Sequence, residues 1–254
     1  MRIDLKVPTS FAGLRPDQLQ YFCKVILQHP DPAELKLLCL MNYTGLKVLK
    51  AKKEDDPEDG FRFKYQGKSF YMSSDMVTDI LSRLDFLTQP PGLFNPPEAI
   101  KNYRACDSRL FGVRLDEWLF ADLMYSDFSK TQDDASLNKM LAVFYRRKTD
   151  DWAEGKHIEQ WAKRFKRVPM PVKYSVYLWY TGVKSWLITK YYYVFQGGSG
   201  ADDVSADEMI MGILSNLNEG KVADNGIIKA SEMHEALYEL NRKIEYIKNL
   251  KTNG

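Results

Sequence analysis

The stretch PMPVKYSVYLWYTGVKSWLITKYYYVF, residues 169–195, limits the fold more than any other part of the chain. It carries two tryptophans, six tyrosines and one phenylalanine in a single run. At about 100° per residue, Val172, Val176, Trp179, Val183, Trp186 and Leu187 share one helical face. Lys173, Tyr177, Tyr180, Thr181, Lys184 and Tyr191 fall on the other. A membrane span needs roughly 20 residues, apolar all round and with few charges. Lysines at 173, 184 and 190 interrupt this run. The pattern therefore predicts a central, largely buried helix with a tyrosine and lysine edge, open either to solvent or to a partner. Pro169 and Pro171 mark its start, and GGSG at 197–200 follows its end.

Around that helix the chain reads as mainly α, a bundle-like body with a small antiparallel hairpin in its N-terminal third. RIDLKV (2–7) alternates as a short strand would. Helical periodicity follows in RPDQLQYFCKVILQ and in DPAELKLLCLMNY, where Asp31, Pro32 and Glu34 spell a capping box with proline at the first position. TGLKVLK could begin a strand after Gly45. FRFKYQGKSFYM, with Gln66-Gly67 at its centre, reads as a β-hairpin, and Ser73 or Ser74 can cap the helix after it. TQPPGLFNPPEA is an ordered, proline-rich connector. Helices are expected over 114–128, 135–147, 159–167, 172–191 and in two segments beyond the GGSGADD linker. The expected organisation is an α+β region at 1–90, a helical core at 98–196 and a C-terminal helical arm at 201–254.

The arm carries ten acids and six bases, net −4, against net +6 for residues 1–200. In its last helix Met233, Leu237, Leu240, Ile244 and Ile247 recur at spacings of 4, 3, 4 and 3. That is a short heptad seam, which can dock on the body or pair with another helix, including a second copy. Its members, with Tyr177, Tyr180, Lys184 and Tyr191, are the candidate partner-binding residues.

Signals for chemistry are sparse. His29, His157 and His234 lie in no zinc spacing and read as solvated. Cys23, Cys39 and Cys106 form no CxxC and read as buried free thiols of a reducing compartment. DDPEDGFRFKYQ departs from a calcium loop at two ligand positions. QGGSG lacks the lysine and hydroxyl of a nucleotide loop, and GxSxG is absent. No catalytic residue, metal or cofactor is expected, and MRIDLKVPTS has no apolar core of a secretory signal. The densest basic run spans 146–167, where Arg146, Arg147, Lys163, Arg164, Lys166 and Arg167 could form a nucleic-acid patch interleaved with Trp152 and Trp161. Nearby acids dilute it, and a solvated helix pair is the simpler expectation.

Three segments carry a family resemblance: LFGVRLDEWLFADLMYSDF, then ASLNKMLAVFYRR, then RFKRVPMPVKYSVYLWYTGVKSWL ending in Val194-Phe195. Together with the helical tail they resemble proteins encoded in the tail-gene regions of Bacteroidales phages and prophages. The resemblance implies a non-enzymatic tail-morphogenesis protein of the host cytoplasm. In this role it would be an assembly chaperone that holds a helical tape-measure protein. A structural tail connector or other virion component is the alternative. Length and a β-containing start depart from the usual two-product chaperone arrangement.

Overall fold

A computed structural model describes residues 5–29, 31–49, 60–152, 155–196 and 221–252, with 212, 213, 215, 217 and 218. Among these residues the chain is mainly α: ten α-helices and two three-stranded antiparallel sheets. The chain divides into two compact units. The first comprises the described residues of Met1–Phe94 together with Met170–Gly182, and the second those of Asn95–Pro169 with Val183–Gly254. This partition differs from the three consecutive segments expected. The first break falls inside the proline-rich connector, and a single helix contributes to both units.

In the first unit, α1 (Pro16–Ile26) and α2 (Pro32–Thr44) pack against each other, with Phe22, Cys23, Leu35, Cys39 and Leu40 buried. Asp31 Oδ1 accepts the Glu34 N–H at 2.8 Å, and Pro32 occupies the first turn, where its missing N–H costs nothing. The reciprocal half of the expected capping box is replaced, because the Glu34 carboxylate lies 3.0 Å from His29 Nδ1. Gly45 closes α2 at φ +77°, which a side chain would strain.

β1 (Lys47–Leu49), β2 (Gly60–Tyr65) and β3 (Lys68–Ser73) then form a meander in the order β1-β2-β3. Tyr65 pairs with Lys68 across Gln66 and Gly67, whose φ values of 48° and 80° are those of a two-residue primed turn. Ser73 Oγ accepts from Met76 N and starts α3 (Ser74–Ser82). Of the strand expected at 2–7, residues 2–4 lie outside the described ones, and 5–7 adopt no regular structure.

In the second unit a small sheet joins β4 (Ala99–Ile100), β5 (Tyr103–Ala105) and β6 (Tyr145–Arg146). Two long helices, α4 (Leu115–Thr131) and α5 (Asp134–Phe144), pack against each other. The helix expected over 135–147 stops at Phe144. Tyr145 turns extended, at φ −122° and ψ 96°, and Tyr145 and Arg146 pair with Ala105 and Arg104. Cross-strand bonding outweighs the continuing helical period there. α6 (Ile158–Ala162) runs into a 3₁₀ turn at Lys163–Phe165.

Then comes α7 (Met170–Lys190), the aromatic helix, followed by α8 (Tyr192–Gln196), α9 (Asn225–Ala230) and α10 (Met233–Thr252). Much of the helix expected at 205–217 lies outside the described residues. The expected continuous helix over 229–250 is broken at extended Ser231. A bridge between Arg114 and Glu232 seats α10 beside the start of α4: Leu115 N donates to Ser231 O, and Met233 N to Val113 O, both at 2.9 Å.

Helix α7 needs glycine at position 182. A Cβ there would sit 2.3 Å from the Gly92 carbonyl oxygen and 3.1 Å from that of Pro91, both backbone atoms of the connector. The prolines stiffen that connector, so it cannot give way cheaply. We expect Gly182→Ala to destabilise the protein by about 1–3 kcal/mol despite alanine's better helix propensity. Chemical denaturation of the variant checks this, and a neutral or stabilising result would show that the connector yields.

Candidate interaction surfaces

The tyrosine and lysine edge of α7 is not an open surface. Tyr180 is fully buried, Tyr191 and Lys173 nearly so, and Tyr177 is half-buried with its ring stacked on Tyr174 at 5.4 Å. Lys184 is bound by Asp122, with Nζ 2.8 and 3.0 Å from the two carboxylate oxygens, and it lies over the Tyr125 ring. The face opposite this edge, with Val176, Trp179, Val183 and Leu187, is buried as well. Tyrosine and lysine can line a core because each buries a long apolar stem and leads its polar tip to a partner.

The heptad seam of α10 divides in two. Met233, Leu237 and Leu240 are buried in the second unit, and Ile244 is half-buried. Ile247 is 50 % exposed, and its neighbours Tyr246 and Leu250 are 65 % and 57 % exposed. α8 flanks this helix: Tyr193 N donates to Asn241 Oδ1 at 2.9 Å, and Lys248 Nζ reaches Gln196 Oε1 at 3.1 Å. Tyr192, on α8, is exposed too. The last two turns of α10 thus carry large apolar side chains that the described residues leave in solvent.

The start of α10 is pinned by His234, and here the expectation of a solvated histidine is corrected. It is 6 % exposed, packed between Phe111, Trp186 and Tyr191. Nε2 lies 2.8 Å from the Arg109 carbonyl oxygen and Nδ1 2.8 Å from the Tyr191 hydroxyl. A carbonyl only accepts, so Nε2 carries the proton and Nδ1 accepts from Tyr191. Burial, more than the Glu232 charge, pushes the Tyr191 phenol up to about 12.

Burial also lowers the His234 pKa, helped by the Lys190 ammonium, and outweighs the opposing Arg109 carbonyl, Glu232 and Asp107. Lys190 sits 4.8 Å over Trp186 and 5.3 Å over Phe111, and Arg109 lies 5.7 Å over Trp186. The loop carrying Arg109 holds buried Leu110 at φ +68°, a backbone region unusual for leucine. No periodicity could have shown this junction, since its residues come from three separated segments.

The expected nucleic-acid patch is partly consumed by internal pairing. Arg146 makes a two-pronged ion pair with buried Glu117, at 2.6 and 3.0 Å, and Glu117 also accepts the Arg114 N–H at 3.2 Å. Arg164 grips Asp150 with both prongs and lies 5.2 Å over Tyr103 and 5.5 Å over Trp161. Asp150 ionises below the usual carboxylate range, because its bonds to Arg164 and the Arg147 N–H outweigh burial, the largest single effect. Arg147, Lys163, Lys166 and Arg167 remain exposed.

The cysteines are free. Burial pushes Cys39 up to about 11 and Cys106 up to about 12, far from a reactive thiolate. Among the described residues no group of three or more His, Cys, Asp or Glu is placed to hold a metal ion. No described helix is long and apolar enough to cross a membrane. No protein-family model, curated protein or solved structure matches the chain.

Two outcomes are expected here. Glu117→Ala should cost about 3–5 kcal/mol, because it strands Arg146 in a poorly solvated site, whereas Glu117→Leu with Arg146→Met should recover most of that stability. Urea titration of the three proteins checks it. The second concerns pH. A histidine whose folded pKa is depressed gives full stability above its unfolded value of about 6.5 and loses it as pH falls toward the folded value. The wild type should therefore lose more stability than His234→Phe between neutral pH and pH of about 5, measured as the shift in urea midpoint. Parallel pH profiles would remove His234 as the source.

Proposed function

We propose that this chain is a non-enzymatic assembly factor that binds an amphipathic helix of a partner protein along the last two turns of α10. The observation that carries the reading is the open end of the seam. Met233, Leu237 and Leu240 are already packed, while Tyr246, Ile247 and Leu250 continue the helix uncovered, beside exposed Tyr192. A guest helix laid there would bury apolar area at i, i+3 and i+4 spacing, the usual reading frame of helix-in-groove recognition. The flanks carry both signs, Arg242 and Lys243 against Glu239 and Glu245, so a guest of mixed charge can keep its register.

The resemblance to tail-region proteins of Bacteroidales phages makes a tape-measure protein the partner of choice, held in the host cytoplasm until tail-tube subunits assemble around it. Such a role asks for apolar helical surface and no catalytic group.

The half-exposed Ile247 and Leu250 would each add about 1 kcal/mol on full burial, so replacing both by Glu should weaken the complex at least about thirtyfold. Folding should be untouched, since neither side chain contributes to the core. Co-expression with the product of a neighbouring long helical reading frame, followed by pull-down, measures this. Failure of the wild type to retain or solubilise that protein would refute the chaperone reading. Finding the chain in purified particles by mass spectrometry would turn it into a structural component.

A further inference from the structure

Internal pairing accounts for Arg146 and Arg164, yet it also organises the cations that stay outside. Arg147 lies 5.3 Å over the Tyr103 ring, and its Nη2 is 3.3 Å from the Tyr103 hydroxyl. Among the described residues no carboxylate forms an ion pair or hydrogen bond with its side chain: Asp150, the nearest acid along the chain, holds Arg164 with both oxygens, accepts the backbone N–H of Arg147 and meets its guanidinium only through the longer-range attraction of the two charges. The guanidinium is therefore fixed in orientation while most of its donors point to no described protein acceptor. The rings of Tyr103 and Phe165 meet at 5.4 Å, and the two residues that follow Phe165 in the chain, Lys166 and Arg167, are both exposed. Lys101 comes to this edge of the second unit from the β4–β5 turn, its Nζ 2.6 Å from the Arg164 carbonyl oxygen. This last residue lies far outside the basic run and joins the group only through folding. Among the described residues of the adjoining loop, exposed Asp151 is the opposing charge left beside it.

We propose that this edge binds the phosphodiester backbone of nucleic acid without reading its bases. A guanidinium held beside a ring with most of its N–H donors uncommitted suits two phosphate oxygens at once. Lys101, Lys166 and Arg167 add point charges around it. An acidic protein surface is the poorer fit, because protein interfaces are built on an apolar centre. None of the exposed large apolar side chains belongs to β4, β5, β6, α6 or the turn after it. Base stacking is excluded for a related reason: Tyr103 and Trp161 are buried and already covered by arginines. Contacts limited to phosphates give affinity that falls steeply with salt and ignores sequence.

The test is fluorescence anisotropy of the full chain with labelled duplex DNA across a salt series. Binding at low salt is expected, with a linear fall of log K against log salt and no change when the DNA sequence is scrambled. Arg147→Ala, and separately Lys166→Ala with Arg167→Ala, should each make that slope shallower, by about 0.9 for every phosphate no longer neutralised. Arg147→Lys keeps the charge and should keep the slope while lowering affinity. Thermal melts of the variants guard against unfolding. Absence of binding at low salt overturns the proposal. So does a slope that none of the variants alters, or displacement by polyglutamate as effective per charge as by unlabelled DNA.

Discussion

Burial of α7 on opposing faces is the constraint from which the rest of the structure follows. A helix that buries Trp179 and Val183 on one side and Tyr180 on the other leaves only a strip through Tyr177, Thr181, Lys184 and Ser185 in contact with solvent over its middle turns. Its polar atoms must then be met from within. Lys184 reaches Asp122, Tyr191 bonds to His234, and Thr181 returns its hydroxyl to the Tyr177 carbonyl. Each of these partners comes from a segment far off in the chain or one turn back along the same helix. The two compact units each take part of this helix, so neither is built without it.

The same economy governs the charges. A half-buried arginine is tolerable when its planar fork meets a carboxylate with two prongs, and Arg146 and Arg164 both meet that condition. Arg146 is held by Glu117 and Arg164 by Asp150, each through two nitrogens. Such pairs add little net stability over a well-packed apolar pair, because two charges must first be stripped of water. What they fix is geometry. Arg146 sits on β6 and Glu117 on α4, so the pair sets the strand against the helix. Arg164 spans Tyr103, Trp161 and Asp150, and so ties the end of α6 to the small sheet.

Sequence and fold agree where local physics decides. Asp31-Pro32 starts a helix because cap and ring both act within one turn. Gln66-Gly67 makes a hairpin because only a positive-φ pair turns so tightly. Gly45 ends α2 for the same reason. What the sequence conceals is set by distance. Tyr145 and Arg146 leave a helical run because Arg104 and Ala105, about forty residues earlier, offer strand partners. His234 looks solvated among Glu and Met in the chain, and only the fold surrounds it with Phe111, Trp186 and Tyr191. The polar edge of α7 is hidden for a further reason. Helical period reports which residues share a face, and says nothing about whether a tyrosine or lysine face has found partners.

The seam of α10 is one pattern with two environments. Its spacing is uniform from Met233 to Ile247, so nothing in the repeat marks where docking stops. The stop is imposed by what the second unit offers. Beside the first turns lie the start of α4 and the His234 pocket, and along the middle lies α8, which ends at Gln196. Past that point the helix holds its fold through backbone bonds and the Lys248 contact to Gln196 rather than through core packing. A helix anchored firmly at its start and uncovered at its end presents apolar side chains at low ordering cost. On the proposed reading, the entropy of fixing this helix is met before a guest binds, so contacts made at the open end would count toward affinity rather than toward folding.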